Sequence, residues 1–418
     1  MEKKRFKITA LGCRTNQYEA QAFRDQLLSL GYEEALGEEE ADLCIVNTCT
    51  VTKSADERSR HQIRSLNREH PEAKIFVTGC MTEKQSPTIL GIQGVAGVVK
   101  NKDKENLLNI AFPDMEIPEF KIERFEAHTR AFVKVQDGCN SFCSYCIIPY
   151  VRGRSRSRRL TNIIEEVVGL VKNGFHEVVL TGINIGDYDG APLEGEEPVR
   201  LSQLTKAVAE VPGVRRLRIS SIDPDEVDDE LIEVIKQNPN CCQSMHIVLQ
   251  SGSNTVLKRM RRKYTVQQFF DTIDRLKSHF PEFTYTTDII LGFPGETQEE
   301  FEETLEVMRR VGFLKVHMFP YSKREGTLAA RMPGHLEPAV VHERKELLLA
   351  EAEKTAFEQR EPYVGQLVEV LVEAHNHGHT NNFIPVQIEG SLVERNQFAT
   401  VKILENQKES LVGVVVSI

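Results

Sequence analysis

Three cysteines fall within eight residues, in Cys139-Asn-Ser-Phe-Cys143-Ser-Tyr-Cys146. Thiolates are soft ligands suited to iron–sulfur clusters or to zinc. A closed structural zinc site takes four ligands, and no local histidine or fourth cysteine completes this set. Three ligands on a four-iron cluster leave one iron open to a small molecule. Gly138 permits a tight turn just before the first cysteine. Tyr145 sets an aromatic face beside the loop, where a planar base can stack. On the residues alone the stretch reads as a cluster loop, with a zinc loop or buried core cysteines as the alternatives.

Three more cysteines follow strand-like runs, in Leu11-Gly12-Cys13, Asn47-Thr48-Cys49 and Thr78-Gly79-Cys80. In a parallel sheet the C-terminal strand ends lie along one edge, so these side chains are expected to converge despite their separation. Taken singly, each would be a small core residue; their shared position is what points to a second three-thiolate site. Cys44 falls inside a strand pattern and reads as packing, as do the adjacent Cys241 and Cys242. The total of nine cysteines is odd, and with no secretion signal it argues against a disulfide framework.

The elements that must hold these groups alternate between strand and helix. Strands are predicted at 6–11, 42–47 and 74–79 and helices at 16–30 and 54–69, which gives a doubly wound parallel sheet. Periodicity breaks at 112–128. Six further strands are predicted at 131–136, 177–181, 215–220, 244–249, 284–291 and 314–319, with helices between them, among them 161–173, 226–237, 265–280 and 297–310. Six such units predict a parallel barrel, or a partial (βα)6 one, with its site at the C-terminal strand ends. A long charged helix spans roughly 337–360. Short strands at 366–372, 383–388, 397–403 and 411–416 then predict a small antiparallel β-barrel. The division is therefore 1–120, 125–357 and 358–418, within the two to four domains that 418 residues allow at about 150 residues each.

Net charge is −10, which argues against a protein that coats nucleic acid indiscriminately and leaves room for local basic patches. No apolar run approaches the roughly 20 residues of a membrane span. The basic N-terminus lacks the apolar core of a signal peptide, so a cytoplasmic protein with no membrane partner is expected. Arg152, Arg154, Arg156, Arg158 and Arg159 follow the cluster loop closely and read as phosphate contacts for RNA. A solvated loop paired with carboxylates is the alternative. Lys258-Arg-Met-Arg-Arg-Lys263 is a second basic run, equally consistent with a solvated helix face. His375-Asn-His-Gly-His379 reads as a flexible loop tip, and Phe383 as a surface aromatic for base stacking.

The spacing of Cys139, Cys143 and Cys146 resembles the signature of the radical S-adenosylmethionine superfamily. That resemblance implies an open iron that binds the amino and carboxylate groups of S-adenosylmethionine, and a 5′-deoxyadenosyl radical formed by its cleavage. With Leu11-Gly-Cys13-Arg-Thr-Asn-Gln17, Asn47-Thr-Cys49-Thr-Val51, Val77-Thr-Gly-Cys80 and Gly138 through Pro149, the whole chain resembles the methylthiotransferase family. The resemblance implies an auxiliary [4Fe-4S] cluster on Cys13, Cys49 and Cys80 and a radical-generating one on Cys139, Cys143 and Cys146. It also implies a C-terminal TRAM domain that binds tRNA, an electron donor of the flavodoxin or ferredoxin type, and a sulfur source. Leu180-Thr-Gly-Ile-Asn-Ile-Gly186 takes the place of the superfamily's amino-group contact but lacks its glutamate, leaving Asn184 or backbone carbonyls. Ser220, Ser221 and Gln250 are expected at ribose hydroxyls, Asp288 at the adenine pocket, and Tyr145 beside the cofactor. The expected reaction is methylthiolation of adenine carbon 2 at position 37 of tRNA. Phe132 through Cys139 and Gly378 through Val386 look most like the branch that acts on N6-threonylcarbamoyladenosine. N6-isopentenyladenosine and a ribosomal-protein aspartate are the sibling substrates, and a non-catalytic, zinc-stabilised RNA-binding protein is the reading of another class.

Overall fold

A computed structural model describes residues 4–124, 129–390 and 392–418. Residues 125–128, where the second unit is expected to open, lie outside the described residues, as do the first three of the N-terminus.

The N-terminal sheet comprises β1 (Arg5–Ala10), β2 (Glu33–Glu34), β3 (Leu43–Thr48), β4 (Lys74–Gly79) and β5 (Val95–Val98). It is parallel throughout, in the order β2-β1-β3-β4-β5. The apolar run of β3 is buried at every position because helices cover both faces. Leu43 and Ile45 pack with Phe23 and Leu27 of the helix Arg14–Ser29. Cys44 and Val46 pack with Ile63 and Leu66 of the helix Lys53–Glu69 on the other face. Cys44 is thus a core residue.

The central unit holds β6 (Arg130–Lys134), a two-residue pair β7 (Gln136–Asp137) and β8 (Arg156–Ser157), β9 (Glu177–Thr181), β10 (Arg216–Ile219), β11 (Ser244–His246), β12 (Thr284–Leu291) and β13 (Lys315–Pro320). Strands β6, β9 and β10 form one parallel sheet, and β11, β12 and β13 another. Parallel bridges Leu217↔Cys241 and Ile222↔Ile247 join them into one arc of six strands. Helices Leu160–Lys172, Leu201–Ala209, Asp229–Gln237, Val266–His279 and Gln298–Val311 supply the outer layer. The sequence starts two of them sharply: Thr265 with Gln268, and Thr297 with Glu300, form capping boxes. The sulfur-bearing pair Cys241 and Cys242 is buried behind β10 and β11. Helix Pro338–Arg360 closes the unit.

The C-terminal strands β14 (Leu367–Ala374), β15 (His377–Thr380), β16 (Pro385–Glu389), β17 (Phe398–Asn406) and β18 (Leu411–Ser417) close into a barrel. Four of its pairs are antiparallel, while β16 and β18 run parallel. The segment expected to be a loop tip at His377–His379 is strand β15, and His379 bonds Glu373 at 2.7 Å. This barrel docks through Arg216, which donates to the His379 carbonyl at 2.9 Å, and Arg130, which meets Glu373 at 2.9 Å. Arg130 and Arg216 open their strands, so the small barrel covers the N-terminal end of the arc, opposite the cluster loop. Among the described residues no helix is long and apolar enough to cross a membrane.

Candidate active site between sheet and barrel

Cys13, Cys49 and Cys80 follow β1, β3 and β4, three adjacent strands. The strand order reverses between β1 and β3, the crevice where doubly wound sheets of this order bind ligands. Backbone geometry brings the loops together. Gly12 has φ +97°, and a Cβ there would lie 2.8 Å from Cys49 Sγ. Gly79 has φ +95°, and a Cβ there would lie 2.4 Å from the Thr48 carbonyl oxygen. Asn16 ties the first two loops, donating to the carbonyls of Leu11 at 2.6 Å and Thr48 at 3.1 Å. Ser59 donates to the Cys49 carbonyl at 3.1 Å. The thiols sense one another: burial pushes Cys80 up to about 12, opposed by Arg152 and reinforced by Cys13 and Cys49. Burial likewise raises Cys49, with Cys13 adding to the effect. Cys13 is exposed and its two partners are buried.

The second triad sits on one loop after β6 and β7. Gly138 has φ +76°, and a Cβ there would lie 2.1 Å from the Arg154 carbonyl oxygen, so only glycine lets the chain pass. The amide of Cys139 donates to the Gly153 carbonyl at 3.2 Å, and that of Ser144 to the Met260 carbonyl at 2.9 Å. The Ser141 amide donates to Cys139 Sγ at 3.3 Å. Burial pushes Cys146 up to about 12, with Cys143 and Cys139 contributing. Arg262 donates to Cys143 Sγ at 3.1 Å and is held by Asp223.

The triads adjoin. Cys80 packs with Ile147, which follows Cys146 directly, and with Val151 one turn further on. Arg152 spans the junction, donating to Cys80 Sγ at 3.1 Å, to Asp137 at 2.8 Å and to Asn16. Lys104 completes a buried network, 2.6 Å from Glu19 and 2.7 Å from Asp137. Among the described residues no three ligands are drawn up to metal-binding geometry. The donor set nevertheless fits [4Fe-4S] clusters: three unpaired thiols per site, each site with an arginine donating to sulfur. A cation beside the sulfurs favours the thiolate that such a cluster binds.

The residues expected at S-adenosylmethionine stand around the C-terminal strand ends. Asn184 is buried and donates to Glu226 at 3.1 Å. Ser220 Oγ and Gln250 Oε1 are buried without a hydrogen-bond partner among the described residues. Such orphaned acceptors and donors await a polar ligand. Ser221 is exposed. Asp288 lies 3.4 Å from His246, toward the interior of the arc. Tyr145 packs edge-on against Phe293 at 6.5 Å. Burial and Asp223 push Glu226 up to about 7. Arg262, Asp223 and Glu226 escaped the sequence reading. The signal for Arg262 was the basic run, where Arg261 at φ +57° ends a helix and turns the chain back toward the loop.

The arginine run is corrected in part. Arg152 is buried under the auxiliary triad and cannot reach a phosphate. Arg158 is taken by Glu166 at 3.1 Å and by Tyr18 at 3.0 Å, because the N-terminal helix packs over it. Arg159 pairs with Glu196 at 3.1 Å. Arg154 and Arg156 are exposed, with Arg154 4.3 Å over the Phe142 ring of the cluster loop. Phe383 is not a free surface aromatic: it stacks on His379 at 4.5 Å, with Arg218 4.9 Å from its centroid.

Residues 133–308 match the family described as the radical SAM superfamily, and residues 5–100 match the uncharacterized protein family UPF0004. Threonylcarbamoyladenosine tRNA methylthiotransferase MtaB of Chlamydia pneumoniae is 45% identical, over 98% of this chain and 98% of that protein. The chain belongs to the tRNA methylthiotransferase family. Its cofactors are S-adenosyl-L-methionine and [4Fe-4S] clusters. The protein of the same name from Bacillus subtilis is 39% identical over 94% of this chain and 92% of that one. A tRNA-2-methylthio-N(6)-dimethylallyladenosine synthase of Caldicellulosiruptor saccharolyticus is 35% identical over 99% of this chain and 93% of that one. Among solved structures, the radical S-adenosylmethionine methyltransferase TsrM of Kitasatospora setae shares the fold, with a TM-score of 0.58 and 13% identity over 79% of this chain and 77% of that one.

Proposed function

We propose that this chain transfers a methylthio group to carbon 2 of N6-threonylcarbamoyladenosine at position 37 of tRNA. The observation that carries the reading is the pair of three-cysteine sets meeting across residues 147–152, in a chain 45% identical to a relative named for this substrate. Cys139, Cys143 and Cys146 would hold the radical-generating cluster, and Cys13, Cys49 and Cys80 the auxiliary one. Bound there, cluster and S-adenosylmethionine supply a carbon radical able to attack an aromatic C–H bond that no side-chain base ionises.

The chain's own residues do the rest. Arg262 and Arg152 each set a guanidinium against sulfur, on Cys143 and Cys80, where a cation offsets the negative charge of a metal-bound thiolate. Ser220 and Gln250 offer unpaired polar atoms to the adenosyl moiety. Ile147 and Val151 pack on Cys80 and form an apolar contact between the two sets. Arg154 and Arg156 stand exposed beside the loop and suit RNA phosphates. A one-electron donor of the flavodoxin or ferredoxin type and a sulfur source are required partners, since no side chain here supplies either. We place the enzyme in the cytoplasm, where nine cysteines stay reduced.

Nucleoside mass spectrometry of tRNA from a deletion strain tests the reading. Loss of the methylthio group from threonylcarbamoyladenosine is expected. Loss from dimethylallyladenosine instead would overturn the substrate.

A further inference from the structure

Arg14 follows Cys13 directly and opens the helix Arg14–Ser29. Its guanidinium lies over Phe132 of β6, 5.5 Å from the ring centroid. The charges that act on it are Arg130, Arg218, Asp288 and Glu177, on β6, β10, β12 and β9. It acts in turn on His317 of β13. Groups on five strands of one arc share a neighbour only inside the arc. Arg14 is exposed to water and, as a guanidinium, carries its positive charge at neutral pH.

The other arginines there are engaged. Arg218 meets Glu177 at 2.6 Å and donates to the carbonyls of Asn381 at 2.8 Å and Thr380 at 3.0 Å. Arg130 meets Glu373 at 2.9 Å. Among the described residues Arg14 has no hydrogen bond or ion pair. An exposed guanidinium with no partner of its own is free to take an anion.

The substrate proposed above carries such an anion, and this inference rests on that reading. The threonylcarbamoyl group ends in a carboxylate, whereas a dimethylallyl group ends in methyls. We propose that Arg14 reads the N6 substituent, gripping the threonyl carboxylate inside the arc with paired charge-assisted hydrogen bonds. Adjacent residues of one chain then fix the sulfur site, through Cys13, and the specificity of the base brought to it.

The test uses reconstituted holoenzyme and three anticodon stem-loop RNAs, one bearing threonylcarbamoyladenosine, one with its threonine carboxylate converted to the amide, and one bearing dimethylallyladenosine. Wild type is expected to bind the acid about tenfold or more tightly than the amide. Arg14→Gln should bring that ratio near one, and Arg14→Lys should keep part of it. A ratio is insensitive to the fraction of variant that folds. Equal wild-type affinities, or an undiminished ratio in Arg14→Gln, would overturn the assignment. Methylthiolation of the acid RNA by wild type is followed alongside. If it proceeds while the ratio survives Arg14→Gln, Arg14 falls and the substrate stands. If only dimethylallyladenosine RNA is methylthiolated, the substrate reading falls and takes the assignment with it.

Discussion

Cys139, Cys143 and Cys146 are set by one loop, whereas Cys13, Cys49 and Cys80 are set by the topology of a sheet. The first set needs only Gly138 and a few backbone hydrogen bonds to form. The second needs three strands in register and a reversal of strand order between β1 and β3. Each set has its own buried arginine on sulfur, Arg262 on Cys143 and Arg152 on Cys80. The partners of those arginines differ. Arg262 answers to Asp223 within the barrel, while Arg152 answers to Asn16, Asp137 and Cys80 from both sides of a domain junction. A local site tolerates movement of its neighbours; a dispersed one depends on how two units dock.

The contrast breaks most sharply at glycine. Gly12→Ala forces a Cβ to 2.8 Å from Cys49 Sγ at φ +97°. Iron content should fall by about half, to one cluster's four irons, with the radical-generating cluster retained. Gly138→Ala, where a Cβ would meet the Arg154 carbonyl oxygen at 2.1 Å, should take the other half. Iron analysis and electron paramagnetic resonance distinguish the two losses. Next comes Arg152→Ala, which leaves Asp137 and Glu19 with less countercharge in the buried junction. A loss of about 3–5 kcal/mol is expected in denaturant unfolding.

Sequence was informative where chemistry is local. The loop Cys139–Cys146 announces itself because its ligands are neighbours in the chain. Cys13, Cys49 and Cys80 were legible only through a shared place at strand ends, a property of parallel sheets in general. Arg152 was misread as a phosphate contact because the groups that bury it, Asn16 and Cys80, stand 136 and 72 residues away. Phe383 was misread for the same reason: Arg218, which covers it, lies on a barrel strand. Strand β15 escaped notice because His377-Gly-His-Thr380 has weak strand propensity, and Gly378 is there only to let Leu371's carbonyl approach, 2.1 Å from where a Cβ would lie.

Smaller effects sharpen the comparison through pH and salt. Glu226 is pushed up to about 7 by burial beside Asp223. Its neutral form suits the fold, so the unfolded state holds fewer protons between pH 4.5 and 7, and stability falls as pH rises through that window. Glu226→Gln should therefore raise the melting temperature at pH 8, by up to about 3 kcal/mol of stability, and leave it unchanged near pH 4. Glu19, on the auxiliary side, behaves oppositely. Burial pushes it up, but Lys104, Arg152 and Lys134 outweigh that and hold it below the usual range. Its contribution is complete above pH 4.5 and is lost as acid protonates it. Least of all, Arg154→Ala or Arg156→Ala should lower the salt dependence of tRNA binding by roughly one phosphate contact, a change of about 0.9 in the slope of log K against log salt.

The division of labour between the two cysteine sets is tested most directly by one paired assay. Cys143→Ala and Cys49→Ala, purified anaerobically beside the brown wild type with its eight or so irons, are reduced with S-adenosylmethionine and tRNA, and 5′-deoxyadenosine and methylthiolated nucleoside are counted together. Cys143→Ala should yield neither product, and Cys49→Ala should yield 5′-deoxyadenosine without methylthiolation. Cofactor cleavage that survives Cys143→Ala, or a colourless wild-type protein holding zinc, would contradict the account.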